Sequence, residues 1–251
     1  MPDIAAIIPA RYESSRFPKK LTYKLLGKPI IIAVYDNIKA CRRVNDCIVA
    51  ADSNEIMDIC KKNNAKSVMT SKDHTSGTSR IIEVAKKIDS EIIINVQGDE
   101  PLIDESVINP IIDAFDDENT HIVTLKTKIE GNSSLIKDEN AVKVVTDING
   151  YAMYFSRAAI PYKRFDQNIN VEYYKHIGVY AFRRDILLKI DKLEECSYEN
   201  IEKLEQLRWL YNGIRIKVLE TNKFLHGIDT KEDLDIVQNY LRNFAESELN
   251  K

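Results

Sequence analysis

Three stretches of this sequence concentrate residues that can handle a phosphorylated ligand. Pro9-Ala10-Arg11-Tyr12-Glu13-Ser14-Ser15-Arg16-Phe17-Pro18-Lys19-Lys20 gathers Arg11, Arg16, Lys19, Lys20 and two serine hydroxyls directly after an apolar run. Backbone N–H groups, hydroxyls and cations in one loop suit a triphosphate. The glycines of a Walker A loop are absent, so this is a different kind of phosphate loop, or else a solvated basic turn. In Asn95-Val96-Gln97-Gly98-Asp99-Glu100-Pro101 an acid directly follows an apolar run, a costly place unless it is paired or holds a metal. Gly98 is expected to let the chain turn sharply and aim Asp99 at a cleft. The competing reading makes Asp99 the cap of a helix after Pro101. In His226-Gly227-Ile228-Asp229-Thr230-Lys231-Glu232-Asp233 the local pattern favours a helix cap at Asp229 or Thr230, with Glu232 or Asp233 near the positive helix end. Two carboxylates facing a basic loop would nevertheless suit Mg²⁺, which takes a few carboxylates together with substrate oxygens.

Two further groups are less specific. Thr70-Ser71-Lys72-Asp73-His74-Thr75-Ser76-Gly77-Thr78-Ser79-Arg80 leads into a helix; its hydroxyls and backbone can read a base edge, and a helix N-terminus favours an anion. It reads equally well as a plain capping segment. Tyr154 to Arg157, Lys175 to Tyr180 and Leu204 to Arg208 each fit core or surface, and His176 by itself reads as a satisfied core histidine.

The elements that must hold these groups follow from periodicity. Ile4 to Ile8 is a continuous apolar run, the mark of a strand buried on both faces of a parallel sheet, and Pro9 is expected to end it. Pro29 opens a helical pattern to about Cys41. Cys47 to Ala51 is a strand, with Ser53 as the N-cap of the next helix. A short strand at Ser67 to Thr70, a helix at Ser76 to Ile88 and a buried strand at Glu91 to Val96 complete an alternation of strands and helices. Ligands of such sheets sit beyond the carboxyl ends of the strands, which puts Pro9-Ala10-Arg11 and Gln97-Gly98-Asp99 on one rim. The second half reads as strands at Ile122 to Lys126, Ala141 to Thr146, Tyr151 to Ser156 and Lys175 to Phe182. Asp147-Ile148-Asn149-Gly150 is a hairpin turn, and Ile160 to Tyr174 is an irregular arm or lid. Helices at Arg184 to Ile190 and Glu199 to Tyr211, a strand at Arg215 to Val218 and a closing helix from about Lys231 to Phe244 follow. Without repeats or low-complexity linkers, the chain reads as a single domain over residues 1–251, with an inserted subregion over roughly residues 127–182.

Composition narrows the function. The 251 residues carry a net charge of −3 with acids and bases intermixed, against the basic excess of a nucleic-acid binder. No apolar run reaches the roughly 18 residues of a membrane span, and Met1-Pro2-Asp3-Ile4 lacks the pattern of a signal peptide. The four cysteines, Cys41, Cys47, Cys60 and Cys196, have no metal-binding spacing and read as reduced packing thiols of a cytoplasmic protein.

Taken together, the segments resemble the 3-deoxy-manno-octulosonate (Kdo) cytidylyltransferase family, which makes CMP-activated Kdo for bacterial surface glycans. The strings that carry the resemblance are IIPARYESSRFPKK, DHTSGT, NVQGDEPLI, VKVV followed by YFSRAAIP, KHIGVYAF, EKLEQLR and GIDTKEDL, in family order over nearly the whole chain. The resemblance implies a nucleotidyltransferase-type α/β fold, Rossmann-like, with a mostly parallel sheet flanked by helices and a smaller inserted sugar-binding and dimerisation subregion. It implies a homodimer acting on CTP and an acidic sugar, with no nucleic acid or membrane partner. Arg11, Ser14, Arg16 and Lys20 would then hold the CTP phosphates, Ala10 would belong to the same nucleotide-binding set, and Thr70, His74, Gly77 and Gln97 would read cytosine and ribose. Asp99 and Asp229 would bind Mg²⁺, and Arg157, His176, Tyr180, Glu205 and Gln206 would line the sugar pocket, Arg157 facing the sugar carboxylate. Arg11, Lys20, Asp99 and Asp229 form the implied catalytic set. Lys19 stands where the family usually has glycine, and Ser79 where it usually has an acid. The implied reaction transfers CMP from CTP to the anomeric hydroxyl of Kdo with release of pyrophosphate, for lipopolysaccharide or capsule. Alternatives are an 8-amino Kdo analogue or a sialic-type acid as acceptor, or a non-catalytic nucleotide-binding protein.

Overall fold

The computed structural model describes residues 2–13, 17–131, 133–164 and 171–249. The chain forms two units, one from Met1–Ile108 with Phe224–Lys251 and the other from Asn109–Lys223.

In the first unit, β1 (Ile4–Ala10) is buried along its whole length. Pro9 does not end it as the sequence suggests. The ladder from β1 to the strand bearing Asn95 stops at Ile7, while pairing to Ala50 and Ala51 continues, so the missing N–H of Pro9 falls where one edge needs no donor. A small hairpin, β2 (Lys24–Leu25) with β3 (Lys28–Pro29), follows. Leu26 and Gly27 turn it with positive φ (48° and 87°), a combination that apolar periodicity does not reveal.

Helix α1 (Ile30–Lys39) buries Ile30, Ile31, Val34 and Ile38, with Pro29 as the residue just outside it. β4 (Asp46–Ala51) leads to α2 (Asn54–Lys62), capped as expected by Ser53, whose Oγ accepts from Ile56 N at 3.2 Å. β5 (Ser67–Met69), α3 (Gly77–Ala85) and β6 (Ile92–Asn95) come next. α4 (Glu105–Asp113) opens at Asp104, whose Oδ1 accepts from Ser106 N at 3.0 Å. The strands lie in the order β6-β1-β4-β5, all parallel. Chain order reverses around β1, and the loops after β1 and β6 emerge side by side on the carboxyl rim, where an open α/β sheet binds its ligand.

The second unit is mostly antiparallel. β7 (Ile122–Ile129) pairs with β10 (Tyr173–Arg183), and β10 also meets β8 (Lys143–Thr146), which pairs with β9 (Ala152–Ser156) through the expected 147–150 turn. α5 (Arg184–Ile190) has the expected bounds. The single helix expected over Glu199 to Tyr211 is instead two, α6 (Ser197–Glu202) and α7 (Gln206–Tyr211), because Lys203 takes a left-handed conformation (φ 53°) that ends the first. β11 (Ile216–Glu220) pairs in parallel with β7. Around this sheet Trp209 is fully buried, meeting the rings of Tyr180 and Phe182 edge-on at 5.1 and 5.4 Å. α8 (Lys231–Leu249) then completes the first unit. Of the expected arm, Tyr173 and Tyr174 begin β10, and residues 165–170 lie outside the described residues.

Candidate active site

The loops beyond β1, β6 and the start of α3 enclose a cleft of about 300 Å³ in the first unit, lined by Pro9, Arg11, Glu13, Lys20, Gly77, Arg80, Gln97, Gly98, Asp99 and Asp229 among others. Its floor depends on close backbone approach. A Cβ on Gly98 would stand 3.1 Å from the Pro9 carbonyl oxygen, 3.2 Å from Ile31 Cδ1 and 3.3 Å from Leu21 Cδ1. Gly98 has no positive φ, so the sharp-turn argument from sequence is replaced by one of space: only a residue without a side chain lets the β6 loop press on β1. Gly77 does the same at lower pressure, its missing Cβ facing Pro9 Cγ at 3.4 Å and the Gln97 amide at 3.5 Å.

Asp99 and Asp229 converge. Lys20 Nζ donates to Asp99 Oδ2 and, at 2.8 Å, to Asp229 Oδ1, so one ammonium bridges two carboxylates that are 130 residues apart (229 − 99). Ile228 N also donates to the Asp99 carbonyl at 2.9 Å, tying the two loops by their backbones. Burial lowers the Lys20 pKa, but the two carboxylates together outweigh it and the net direction is upward. Neither aspartate is the cap that local pattern allowed. Asp104 opens α4, and α8 is capped by Thr230 and Asp233: Thr230 Oγ1 accepts from Asp233 N at 3.1 Å, and Asp233 Oδ2 accepts from Thr230 N at 2.8 Å. The Asp233 carboxylate also accepts from Asp229 N at 3.0 Å and meets His226 Nε2 at 2.7 Å. With the helix end satisfied by its neighbours, the Asp229 side chain is left to face the cleft.

Lys19 adopts φ 57°, ψ 24°, the left-handed region in which glycine is at ease. Its side chain lies over the Tyr12 ring, Nζ 5.2 Å from the centroid. A lysine thus holds a backbone conformation that suits glycine. Ser79 has a comparable explanation. Its Oγ accepts from Ser76 N at 3.3 Å while Ser76 Oγ accepts from Ser79 N at 3.1 Å, a reciprocal capping box made without an acid. Ser14 and Arg16, expected on the phosphates, lie outside the described residues, whereas Arg11 reaches Thr75 O with Nη2 at 3.1 Å.

The segment before α3 divides into two parts. Gly77 and Gln97 line the cleft, but Thr70 and His74 are not among its lining residues and are engaged elsewhere. Thr70 Oγ1 donates to Ala51 O at 2.8 Å and accepts from Arg80 Nη1 at 2.6 Å. His74 Nε2 meets Glu83 Oε2 at 2.8 Å, and Ser71 N and His74 together hold the Glu83 carboxyl down to about 2. Sequence reading passed over Arg80, which is fully buried, lines the cleft, and approaches Asp52 Oδ2 at 3.7 Å while Asp52 Oδ1 accepts from Tyr12 N at 2.9 Å. The signal was its spacing: three residues after Gly77, it shares the face of α3 that looks back to the helix start.

The residues expected around a sugar all belong to the second unit. The pairing of β10 with β7 skips two residues between Ile177 and Tyr180. In a regular strand His176 and Tyr180 would be separated by a same-face neighbour; the bulge removes it and brings their rings to 5.3 Å. Thr124 Oγ1 lies 2.9 Å from His176 Nε2 and 2.8 Å from the Val179 carbonyl, to which it donates. Burial pulls the imidazole pKa down from 6.5 to about 3, so it is neutral. The Tyr180 hydroxyl is buried near Thr124, its pKa raised mainly by burial. Arg157 spends three donors on backbone: Nε to Glu202 O at 2.6 Å, Nη1 to Glu139 O at 2.9 Å, and Nη2 to Lys203 O at 3.4 Å. It therefore fixes the break between α6 and α7, where Glu205 and buried Gln206 sit, with two N–H groups unengaged among the described residues.

The cytidylyltransferase family matches residues 5–216. A 3-deoxy-manno-octulosonate cytidylyltransferase of Fusobacterium nucleatum is 45% identical over 238 residues, covering 94% of this chain and 96% of that protein. The chain belongs to the 3-deoxy-manno-octulosonate cytidylyltransferase family. A member from Geobacter sulfurreducens is 41% identical over 250 residues, covering 96% of this chain and all (100%) of its own. Among solved structures, a CMP:2-keto-3-deoxy-manno-octonic acid synthetase complexed with CTP superposes with a TM-score of 0.90 at 36% identity, covering 96% of this chain and 99% of its own. A glucose-1-phosphate thymidylyltransferase described as putative, from Bacillus anthracis, shares the fold alone, at 14% identity and TM-score 0.68 over 95% of each chain. As a 3-deoxy-manno-octulosonate cytidylyltransferase family member, the chain is a nucleotidyltransferase with the nucleotidyltransferase-like α/β fold expected from sequence.

The donor set fits a hard divalent cation. Asp99 and Asp229 present carboxylate oxygens to one cationic point, and no group of three or more His, Cys, Asp or Glu suited to a metal occurs among the described residues. Two carboxylates suit Mg²⁺, which keeps several waters and takes its other ligands from substrate phosphate.

Proposed function

We propose that this protein transfers CMP from CTP to the anomeric hydroxyl of Kdo, releasing pyrophosphate. The observation that carries the reading is the convergence of Asp99 and Asp229 on Lys20 in a cleft between two strand-end loops. The anomeric oxygen attacks the α-phosphorus in line, the bond from that phosphorus to the bridging oxygen breaks, and pyrophosphate leaves with the electron pair. The protein's contribution is placement and charge neutralisation.

Arg11 and Lys20, with Ala10, Ser14 and Arg16, would hold the phosphates and stabilise charge on the leaving group. Gly77 and Gln97 line the cleft where a pyrimidine and ribose would lie. Thr70 and His74 would act through the shape of their segment, since their polar atoms are engaged in the protein. Asp99 and Asp229 would hold Mg²⁺, which supplies charge neutralisation at the phosphates and acidifies the attacking hydroxyl.

For the sugar, neutral His176, the Tyr180 hydroxyl and Arg157, all within an inserted subregion near residues 127–182 that would also dimerise, form the candidate set together with Glu205 and Gln206 beyond it. No side chain is assigned as base in this scheme. The product would feed lipopolysaccharide or capsule synthesis in the cytoplasm. No helix among the described residues is long and apolar enough to cross a membrane.

The test is pyrophosphate release from CTP and Mg²⁺ against Kdo, its 8-amino analogue and a sialic acid. Kdo should give the highest kcat/KM. Preference for another sugar overturns the acceptor assignment, and no release with any of them overturns the enzymatic reading.

A further inference from the structure

We infer that Lys20 acts as an internal counter-cation that competes with the divalent metal for Asp99 and Asp229, so that nucleotide phosphates must draw its ammonium away before the carboxylates can take the metal. The inference rests on the Mg²⁺ role proposed for the two aspartates and adds an order to it. Its ground is geometric. The Lys20 ammonium makes hydrogen-bonded ion pairs with both carboxylates at once, and its side chain is 14% exposed against 24% and 43% for Asp99 and Asp229. A cation arriving at these oxygens therefore meets a positive charge already seated within contact distance, and either repels it or displaces it.

The fold holds that charge in place. Lys20 begins a 3₁₀ turn, Lys20–Thr22, whose Leu21 is buried against the β6 loop at Gly98. The left-handed Lys19 just before it sets the direction in which the Lys20 stem leaves the backbone. The four-carbon stem is also long enough to swing. When triphosphate oxygens enter the cleft beside Arg11, they offer the ammonium a second anionic partner and leave the aspartates open. Lys20 would thus serve the phosphates and withhold the carboxylates from metal until the phosphates are present. This coupling makes metal and nucleotide binding reciprocal, each raising the affinity for the other.

The readout is metal affinity rather than turnover. Mn²⁺ alone is titrated into the full-length protein without nucleotide, followed by the electron paramagnetic resonance of free Mn²⁺. The proteins are wild type, Lys20→Met, Lys20→Arg and Asp99→Asn. Loss of two part-buried ion pairs on metal entry predicts that Lys20→Met binds Mn²⁺ about tenfold more tightly than wild type. Lys20→Arg, which keeps the charge, should stay within about twofold of wild type and controls for loop damage. Asp99→Asn should bind weakly whatever stands at residue 20. Equal or weaker Mn²⁺ binding by Lys20→Met than by wild type overturns the inference while leaving the metal site standing, provided Mn²⁺ still binds in an Asp99-dependent manner with CTP present. If Asp99→Asn leaves Mn²⁺ binding unchanged both with and without CTP, the metal role itself fails and the inference fails with it.

Discussion

The neutral imidazole of His176 makes stability depend on pH in a way that can be worked out in advance. Burial lowers its pKa from 6.5 to about 3 in the folded protein, while in the unfolded chain the ring titrates near its ordinary value. A depressed folded value means that the unfolded state binds the proton first. The contribution is complete above pH 6.5 and is lost progressively as pH falls from there toward 3. Between pH 7 and pH 5.5 the unfolded ring takes up most of one proton that the folded ring refuses, which amounts to about 1 kcal/mol of lost stability. Carboxylates change little over that window, so the effect is separable from general acid unfolding. The comparison protein is His176→Gln, which keeps an amide near Thr124 but cannot titrate. Trp209 is the one tryptophan in the chain and packs on Tyr180, itself beside His176, so its fluorescence reports on the same unit during urea unfolding. From pH 7 to 5.5 wild type should lose about 1 kcal/mol more than His176→Gln. Parallel losses in the two proteins would refute the claim that this ring is held neutral by burial.

Asp99→Asn and Asp229→Asn should each lower kcat/KM for pyrophosphate release by about 10²- to 10³-fold, the scale of losing one preorganised charge at a phosphoryl centre; near-normal turnover in either would remove it from the reaction. Gly98→Ala should destabilise by about 1 to 3 kcal/mol in urea titration, because its Cβ would press on the Pro9 carbonyl and two well-packed side chains. Lys19→Gly should be neutral or stabilising by up to about 1 kcal/mol, since the left-handed φ of 57° costs lysine more than it costs glycine. Arg80→Met should cost about 3 kcal/mol in the same assay, leaving Asp52 and the Thr70 hydroxyl without their buried partner.

The parallel half of the fold was legible because its strands are buried on both faces: Ile4 to Ile8 and Glu91 to Val96 stand out by composition alone. The helix-break at Lys203 was not, since Glu199 to Tyr211 keeps a helical apolar pattern across it and only a left-handed backbone angle interrupts it. The two cleft aspartates illustrate a more general limit. Local sequence offers Asp229 or Thr230 as the cap, and what decides is Asp233, whose reciprocal hydrogen bonds with Thr230 close the helix end while the Asp229 carboxylate takes the Lys20 ammonium. Asp99 was the easier of the two, being next to a buried strand. For His74 and Thr70 sequence could not supply the partners: polar residues before a helix resemble a recognition loop, and here they engage Glu83, Ala51 and Arg80. The proximity of His176 to Tyr180 could not be counted from sequence, because the two residues skipped in the pairing between Ile177 and Tyr180 shorten the spacing along a face that they would share in any case.

The first unit is assembled from the two ends of the chain, Met1–Ile108 and Phe224–Lys251, with the second unit made in between. At a synthesis rate of roughly 5 to 20 residues per second, Asp229 leaves the ribosome about 7 to 26 seconds after Asp99. Throughout that interval the basic loop and the first carboxylate exist without α8 to close on them. A nascent chain stalled anywhere inside the second unit therefore lacks half of its acidic pair. With Asp99 and Asp229 in the proposed metal role, competence for chemistry would arrive only with the last stretch to be translated, and a truncated product would carry the strand-end rim without the complete acidic pair.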